Sequence, residues 1–234
     1  MKAWYQKHNH ILYYNFQYGP ESDGFIMGID KLIHGLPIIE NPEKYNIYEI
    51  ETEDDFPVEI IDPDIKIIKF NYAFNQNIPK LPSHIEELYF DSGDYELCQI
   101  SLFNKSLSNL SYGIKRLYLN YSFDQELLNL PDSLEYLELA GAFDQSLDFL
   151  PNSVKEIHIV HKPGPDGEPL LSYFNQPLNN LPESLEVLEL DCVDFNHPLD
   201  NLPEKLKCLN LNLYAFKYDI PERLKSIIPK SYYM

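Results

Sequence analysis

The chain has 234 residues, 44% hydrophobic and 24% charged, and its 37 Asp+Glu against 18 Lys+Arg leave a formal net charge of −19. So acidic a balance excludes a phosphate-backbone footprint and docking on anionic lipid, so neither nucleic acid nor a membrane is an expected partner. The length suits one ordinary domain or one elongated array with a real core, and no apolar run approaches the ~18 residues of a membrane span.

In chain order, Met1 to His8 hold no apolar stretch of the kind a secretory signal carries. Ile11, Tyr14 and Phe16 then fit the tail of an L-x-x-L-x-L pattern. Phe25, Ile29 and Leu32 lead, after an insertion near 33–41, to Pro42, Tyr45, Tyr48 and Ile50; Phe56 and Ile60 lead to Ile65, Ile68 and Phe70. From Phe74 the pattern is explicit: F-[N/D]-x-x-[L/I]-x-x-L-P-x-x-L-x-x-L-x-L. It recurs from Phe123, Phe143, Phe174 and Phe195, and from Phe103 with Ser111 in place of the proline. Phe216 to Ile227 is a shortened copy. The base period is 20–21 residues, lengthened by insertions at 91–102 and 160–173.

A period of that length with one L-x-L segment matches the leucine-rich-repeat class. Each tail, such as Leu188-Glu189-Leu190, is a short strand with two side chains on one face and one on the other. Neighbouring units add strands in parallel, roughly 4.7–4.9 Å apart. Leu185, Leu188 and Leu190 should point inward, and Phe195, Leu199 and Leu202 should fill the core from the returning segment. A single coil cannot bury these groups; stacking does, and each large side chain removed from water contributes about 1.5–3 kcal/mol. The expected fold is an α/β repeat of mostly short parallel strands with irregular or 3-10 returns, a leucine-rich-repeat-like solenoid of about nine to ten coils. Asx at 75, 104, 124, 144, 175 and 196 should serve the corners by bonding nearby backbone, and the proline column (Pro82, Pro131, Pro151, Pro182, Pro203) should mark where no ladder bond is wanted.

F-N-Q-P-L-N-N-L-P-E-S-L (Phe174 to Leu185) and F-N-Q-N-I-P-K-L-P (Phe74 to Pro82) resemble the FNIP repeat, a leucine-rich-repeat variant of social amoebae and of giant viruses that infect amoebae. The resemblance is specific over 74–211 and weaker on either side. It implies a curved or twisted solenoid used as an interaction surface, without catalysis, and it supplies no binding residues. The chain thus reads as a single solenoid domain over 1–234: an N-terminal cap (1–24), degenerate repeats (25–73), regular FNIP-type repeats (74–211) and a C-terminal cap (212–234).

Strand residues between the leucines should face a sheet-side surface. Three rows follow: Ile47, Ile67, Glu87, Arg116, Tyr136, Glu156, Val187, Cys208; then Glu49, Lys69, Tyr89, Tyr118, Glu138, His158, Glu189, Asn210; then Glu51, Asn71, Asp91, Asn120, Ala140, Val160, Asp191, Asn212. Of these 24 positions eight are acidic and two basic, a density of negative charge about three times the chain's. Such a face steers a basic protein partner, and Tyr and Arg are common interface anchors. A charged, solvated sheet face also serves solubility alone. The candidate binding residues are Glu87, Tyr89, Asp91, Arg116, Tyr118, Asn120, Tyr136, Glu138, Glu156, His158, Glu189 and Asp191. The insertions at 91–102 and 160–173 both follow a strand and should emerge on one edge, flanking that face.

No phosphate loop, nucleophile elbow or H-E-x-x-H is present, and no cofactor or metal is expected. His158 and His161 lie on a strand and its exit and need not converge. Cys98, Cys192 and Cys208 show no framework spacing; Cys192 and Cys208 are out of register for a disulfide, which points to reduced thiols in a cytoplasm, the host's if the source is viral. The expected function is a non-enzymatic protein-interaction scaffold. The alternatives are a parallel β-helix enzyme acting on polysaccharide, with clustered carboxylates for acid–base work, and a purely structural component.

Overall fold

Two side chains of each L-x-L tail must leave water on the same side, and only a neighbouring coil can cover them. The computed structural model describes residues 66–70, 72, 74–90, 100–163, 169–212 and 215–229, with strand residues 7–8, 11–14 and 47–50 described by backbone. The strands are β1 (Lys7–His8), β2 (Ile11–Tyr14), β3 (Ile47–Ile50), β4 (Ile67–Phe70), β5 (Glu87–Phe90), β6 (Arg116–Tyr118), β7 (Tyr136–Ala140), β8 (Glu156–Val160), β9 (Lys162–Pro163), β10 (Pro169–Leu170), β11 (Val187–Leu190) and β12 (Cys208–Leu211). All but β9 and β10 form one sheet in the order β1-β2-β3-β4-β5-β6-β7-β8-β11-β12, parallel from β2 onward. The insertion after β8 makes the antiparallel β9–β10 ribbon. One short helix, α1 (Glu222–Lys225), belongs to the last coil. The insertion near 33–41 and most of that at 91–102, with Cys98, lie outside the described residues.

The register follows the repeat residue by residue. Leu88, Leu117, Leu137, Ile157, Leu188 and Leu209 pair in sequence and form one interior column, fully buried. The returning segments are turns and irregular chain that close on this column with Phe74, Phe103, Phe123, Phe143, Phe174 and Phe195, all buried. From Phe103 to Phe216 the rings stack at 6.0–6.3 Å between centroids, within 10° of parallel. One offset-stacked column thus runs through the returns.

The Asx column is structural by a longer route than the local turn expected of it. Asn75 Oδ1 accepts the N–H of Asn104, Asn104 that of Asp124, Asp124 that of Asp144, Asp144 that of Asn175, Asn175 that of Asn196, and Asn196 that of Lys217, at 2.8–3.0 Å. Each oxygen therefore caps the next coil rather than its own turn. Only an acceptor is required, so Asn and Asp interchange. The proline carbonyls accept the N–H three residues on, as at Pro131 to Leu134 (3.0 Å) and Pro182 to Leu185 (3.0 Å). Where Ser111 replaces proline, its hydroxyl donates to the carbonyl of Leu81 in the previous coil. Gly113 in the same turn has φ +117°, and a Cβ there would lie 2.1 Å from the Ser83 carbonyl oxygen, so only glycine fits.

A further column stands at the strand entrances: Lys66, Glu86, Lys115, Glu135, Lys155, Glu186 and Lys207. Its charges alternate without a break. The pairs Lys115–Glu86 (2.7 Å), Lys155–Glu135 (2.9 Å) and Lys207–Glu186 (2.7 Å) close across neighbouring coils. Glu86 holds the Lys115 ammonium above its usual range, and Lys207 holds the Glu186 carboxyl below its own. Translational stacking would bring like charges together at every step; alternation turns that repulsion into weak attraction.

Candidate functional site

Between the buried leucines, the side chains of β4 to β12 project from the opposite face of the sheet. Half-buried and buried residues alternate along β4, β5, β8, β11 and β12, while β7 ends on two buried residues, Leu139 and Ala140. The first and second rows are in register as the repeat requires, so Glu87, Arg116, Tyr136 and Glu156 are successive neighbours, as are Tyr89, Tyr118, Glu138 and, after it, His158 and Glu189.

The aromatic side chains on this face stack into a ladder that crosses rows. Tyr89 lies 4.0 Å from Tyr118 between centroids, Tyr118 4.9 Å from Tyr136, and Tyr136 4.9 Å from His158. Tyr118 is in the second row and Tyr136 in the first, so the ladder steps sideways between β6 and β7 and back at β8. Cations stand over two rings: Lys69 Nζ is 5.5 Å from the Tyr89 centroid and the Arg116 guanidinium carbon 5.0 Å from that of Tyr136. Because each ring covers its neighbour's face, the ladder offers a partner ring edges and polar atoms rather than open faces.

Hydrogen bonds along each strand fix the ladder. The Tyr89 hydroxyl donates to Glu87 (2.9 Å), the Tyr136 hydroxyl to Glu138 (2.9 Å) and Arg116 Nη1 to the Tyr118 hydroxyl (3.3 Å). These partners are two residues apart, which is the spacing of side chains on one face of a strand. Burial, with the neighbouring Tyr118 phenol and the Glu87 carboxylate, pushes the Tyr89 hydroxyl well above its usual range; burial and Glu138 do the same at Tyr136. Arg116 is raised through its bond to Tyr118.

Charge is not spread evenly over the face. On β4 to β6 stand Lys69, Arg116 and Glu87; on β7 to β11 stand Glu138, Glu156, Glu189 and, just past the last strand, Asp191. His158 faces carboxylates with both ring nitrogens, Nδ1 to Glu189 at 2.7 Å and Nε2 to Glu156 at 3.4 Å. His161 Nε2 is 3.8 Å from Asp191, while its Nδ1 accepts the Ser172 N–H (3.3 Å). The two histidines therefore serve separate carboxylates and do not converge. Lys162 from β9 reaches Glu138.

Two of the candidates stand apart. Asn120 is only 7% exposed, and its Oδ1 accepts the N–H of Tyr121 (2.8 Å); it turns inward as a cap and does not join the face. Asp91 lies outside the described residues. Glu87, Tyr89, Arg116, Tyr118, Tyr136, Glu138, Glu156, His158 and Glu189 are linked by ring contacts and hydrogen bonds on one face, while Asp191 meets His161 and Asn212 beside it. Lys162 and the alternating entrance column escaped the sequence reading. A Lys/Glu alternation at a fixed offset of two residues before each strand's first leucine is the signal that marks the column.

Among the described residues no group of three or more His, Cys, Asp or Glu side chains is arranged to hold a metal, and no helix is long and apolar enough to cross a membrane. Cys192 is buried, its thiol pushed up to about 12 by desolvation, and neither it nor Cys208 is in a disulfide.

Tyr118, Tyr136 and His158 of the ladder lie between Phe103 and His161, and the family model for the FNIP repeat matches residues 103–141 and 128–161. Residues 103–161 carry FNIP repeats. The same template runs through the coils that begin at Phe74, Phe174 and Phe195, which stack on the matched FNIP coils with unchanged register. A search of curated proteins finds no match. Among solved structures, CroV588, described as a novel circular LRR protein, is 22% identical with a TM-score of 0.46, over 79% of this chain and 32% of that one. The chain thus spans about a third of that protein's length.

Proposed function

We propose that this FNIP solenoid is a non-enzymatic scaffold that presents the sheet face of β5 to β11, acidic overall and centred on tyrosines, to a basic protein partner in the cytoplasm. Leucine-rich-repeat-like arrays are commonly protein-interaction scaffolds. The observation that carries the finer reading is the ladder Tyr89–Tyr118–Tyr136–His158, rings held 4.0–4.9 Å apart and braced by hydrogen bonds to Glu87, Glu138 and Glu189. Side chains already ordered lose little entropy on binding, which favours them as anchors. The free Cys192 and Cys208 support a reducing compartment.

A polysaccharide-cleaving β-helix fits poorly. From β2 onward each described coil contributes one strand to the ten-stranded sheet, the β9–β10 ribbon being an insertion, and the rings that would stack on a sugar are covered by one another. Capture from lysate on the immobilised protein tests the scaffold reading. The triple variant Tyr89→Ala/Tyr118→Ala/Tyr136→Ala and, separately, Arg116→Glu should lose the captured protein, while Glu126→Arg on a return should retain it. Undiminished capture by the face variants, with Glu126→Arg unchanged, contradicts the assignment.

A further inference from the structure

We infer that the half of the sheet face on β7, β8 and β11 is a docking surface for an arginine- or lysine-bearing segment of a protein partner, and that Lys162 is its built-in competitor. The inference rests on the scaffold reading and assigns the partner's chemistry and the residue that opposes it.

Lys162 does not belong to the repeat. It comes from the insertion after β8, so coil stacking does not require it, yet its ammonium lies on the Glu138 carboxylate of the strand before. The other Glu138 oxygen accepts the Tyr136 hydroxyl at 2.9 Å. The carboxylate is thus fixed in place, 16% exposed, with a lysine side chain that is 25% exposed resting on it. A rigid, tyrosine-braced acceptor with a cation seated on it shows how this surface receives an ammonium group. Guanidinium suits the same acceptor, since it binds carboxylates through a planar fork.

Around this pair the charge is one-sided. Glu138, Glu156, Glu189 and Asp191 carry four formal negative charges, and Lys162 carries the one full positive charge bonded to any of them among the described contacts. On β4–β6 the described face residues are mixed in sign, with Lys69 and Arg116 beside Glu87. A partner cation is therefore drawn to β7–β11 in preference to the mixed charges of β4–β6, which orients the partner along the ladder. To reach Glu138 it must displace Lys162. Affinity is then set by the difference between two cations on one carboxylate, which keeps weakly basic proteins off the face.

The probe is octaarginine with blocked ends, titrated by calorimetry at low salt. Lys162→Met should tighten its binding about tenfold, a change of roughly 1.4 kcal/mol. Lys80→Met, the same charge change on an exposed return, should alter it by less than about twofold. Adding Glu138→Gln to Lys162→Met should remove the gain. As a second readout, amine acetylation followed by mass spectrometry should find Lys162 slower than Lys80 in the free protein and several-fold faster once octaarginine is bound. Equal effects of Lys162→Met and Lys80→Met, or Lys162 acetylation that is unchanged by the probe, overturn the competitor assignment. Those results leave the tyrosine face to its own capture test, and loss of that test with the Lys162 gain intact overturns the tyrosine face alone.

Discussion

The two surfaces of each strand obey opposite rules. Inward, every coil repeats the last: leucine or isoleucine on leucine, phenylalanine on phenylalanine, Asx oxygen on the next coil's N–H. Outward, no two strands between β5 and β11 carry the same pair of residues; Glu87/Tyr89, Arg116/Tyr118, Tyr136/Glu138, Glu156/His158 and Val187/Glu189 follow one another. Repetition is what translation demands of a shared core, because each position meets its own image one step along. The outward face is under no such demand, so its variation is available for recognition. The entrance column lies between the two regimes, repeating in geometry and alternating in sign.

The sharpest way to break the inner rule is at its centre. Phe143→Ala removes a ring stacked on both Phe123 and Phe174, and by cavity energetics it should cost about 3–5 kcal/mol. Urea unfolding followed by circular dichroism should also show a lower m-value, since the arrays on either side become uncoupled. A two-state transition of unchanged m would show that the returns are not coupled through the phenylalanines. Next in size is the Asx ladder. Asp124→Ala leaves the Asp144 N–H and the Gln145 Nε2 without the oxygen they share, at about 1–1.5 kcal/mol. Asp124→Asn keeps the acceptor and should melt within a degree or two of the parent.

The outer face responds to pH through its phenols. Burial holds the Tyr89 and Tyr136 hydroxyls above the ordinary phenol range, so they keep their protons in the fold at pH values where the unfolded chain loses them. Their contribution to stability is complete below about pH 10 and declines as pH rises beyond it. The variant Tyr89→Phe/Tyr136→Phe should therefore show a shallower fall of stability between roughly pH 10 and 12 in denaturant titrations. An unchanged slope would mean that burial and the adjoining Glu87 and Glu138 do not hold these protons in the fold. The smallest effect belongs to the entrance column. Glu135→Lys places three lysines in succession with Lys115 and Lys155, and should lower stability by about 1 kcal/mol or less at low salt, a loss that added salt reverses.

The inner columns were legible in the sequence because periodicity fixes them: the spacing that places Leu117 over Leu88 also places Phe123 over Phe103. The sheet-face rows follow from the same count. Side-chain direction does not. Tyr118 and Tyr136 are assigned to different rows, and nothing in the spacing says that their rings lean together to within 4.9 Å. Asn120 occupies a face position by parity, yet its amide turns back to cap Tyr121 because the strand has already ended at Tyr118. Lys162 lies in an insertion whose path the repeat does not dictate, so its reach to Glu138 could only be seen in three dimensions. The Asx reach to the next coil has the same origin, a contact between residues 20 or more apart that the eye reads as a local turn.

Recognition by the variable face is the claim with most at stake. A photo-crosslinking amino acid at Val187, half-exposed in the first row, tests it against one at Tyr112, 74% exposed on a return turn. Irradiated in lysate, the Val187 position should form a discrete adduct with the captured partner and the Tyr112 position none. An adduct at Tyr112 with Val187 silent would move the binding surface off the sheet.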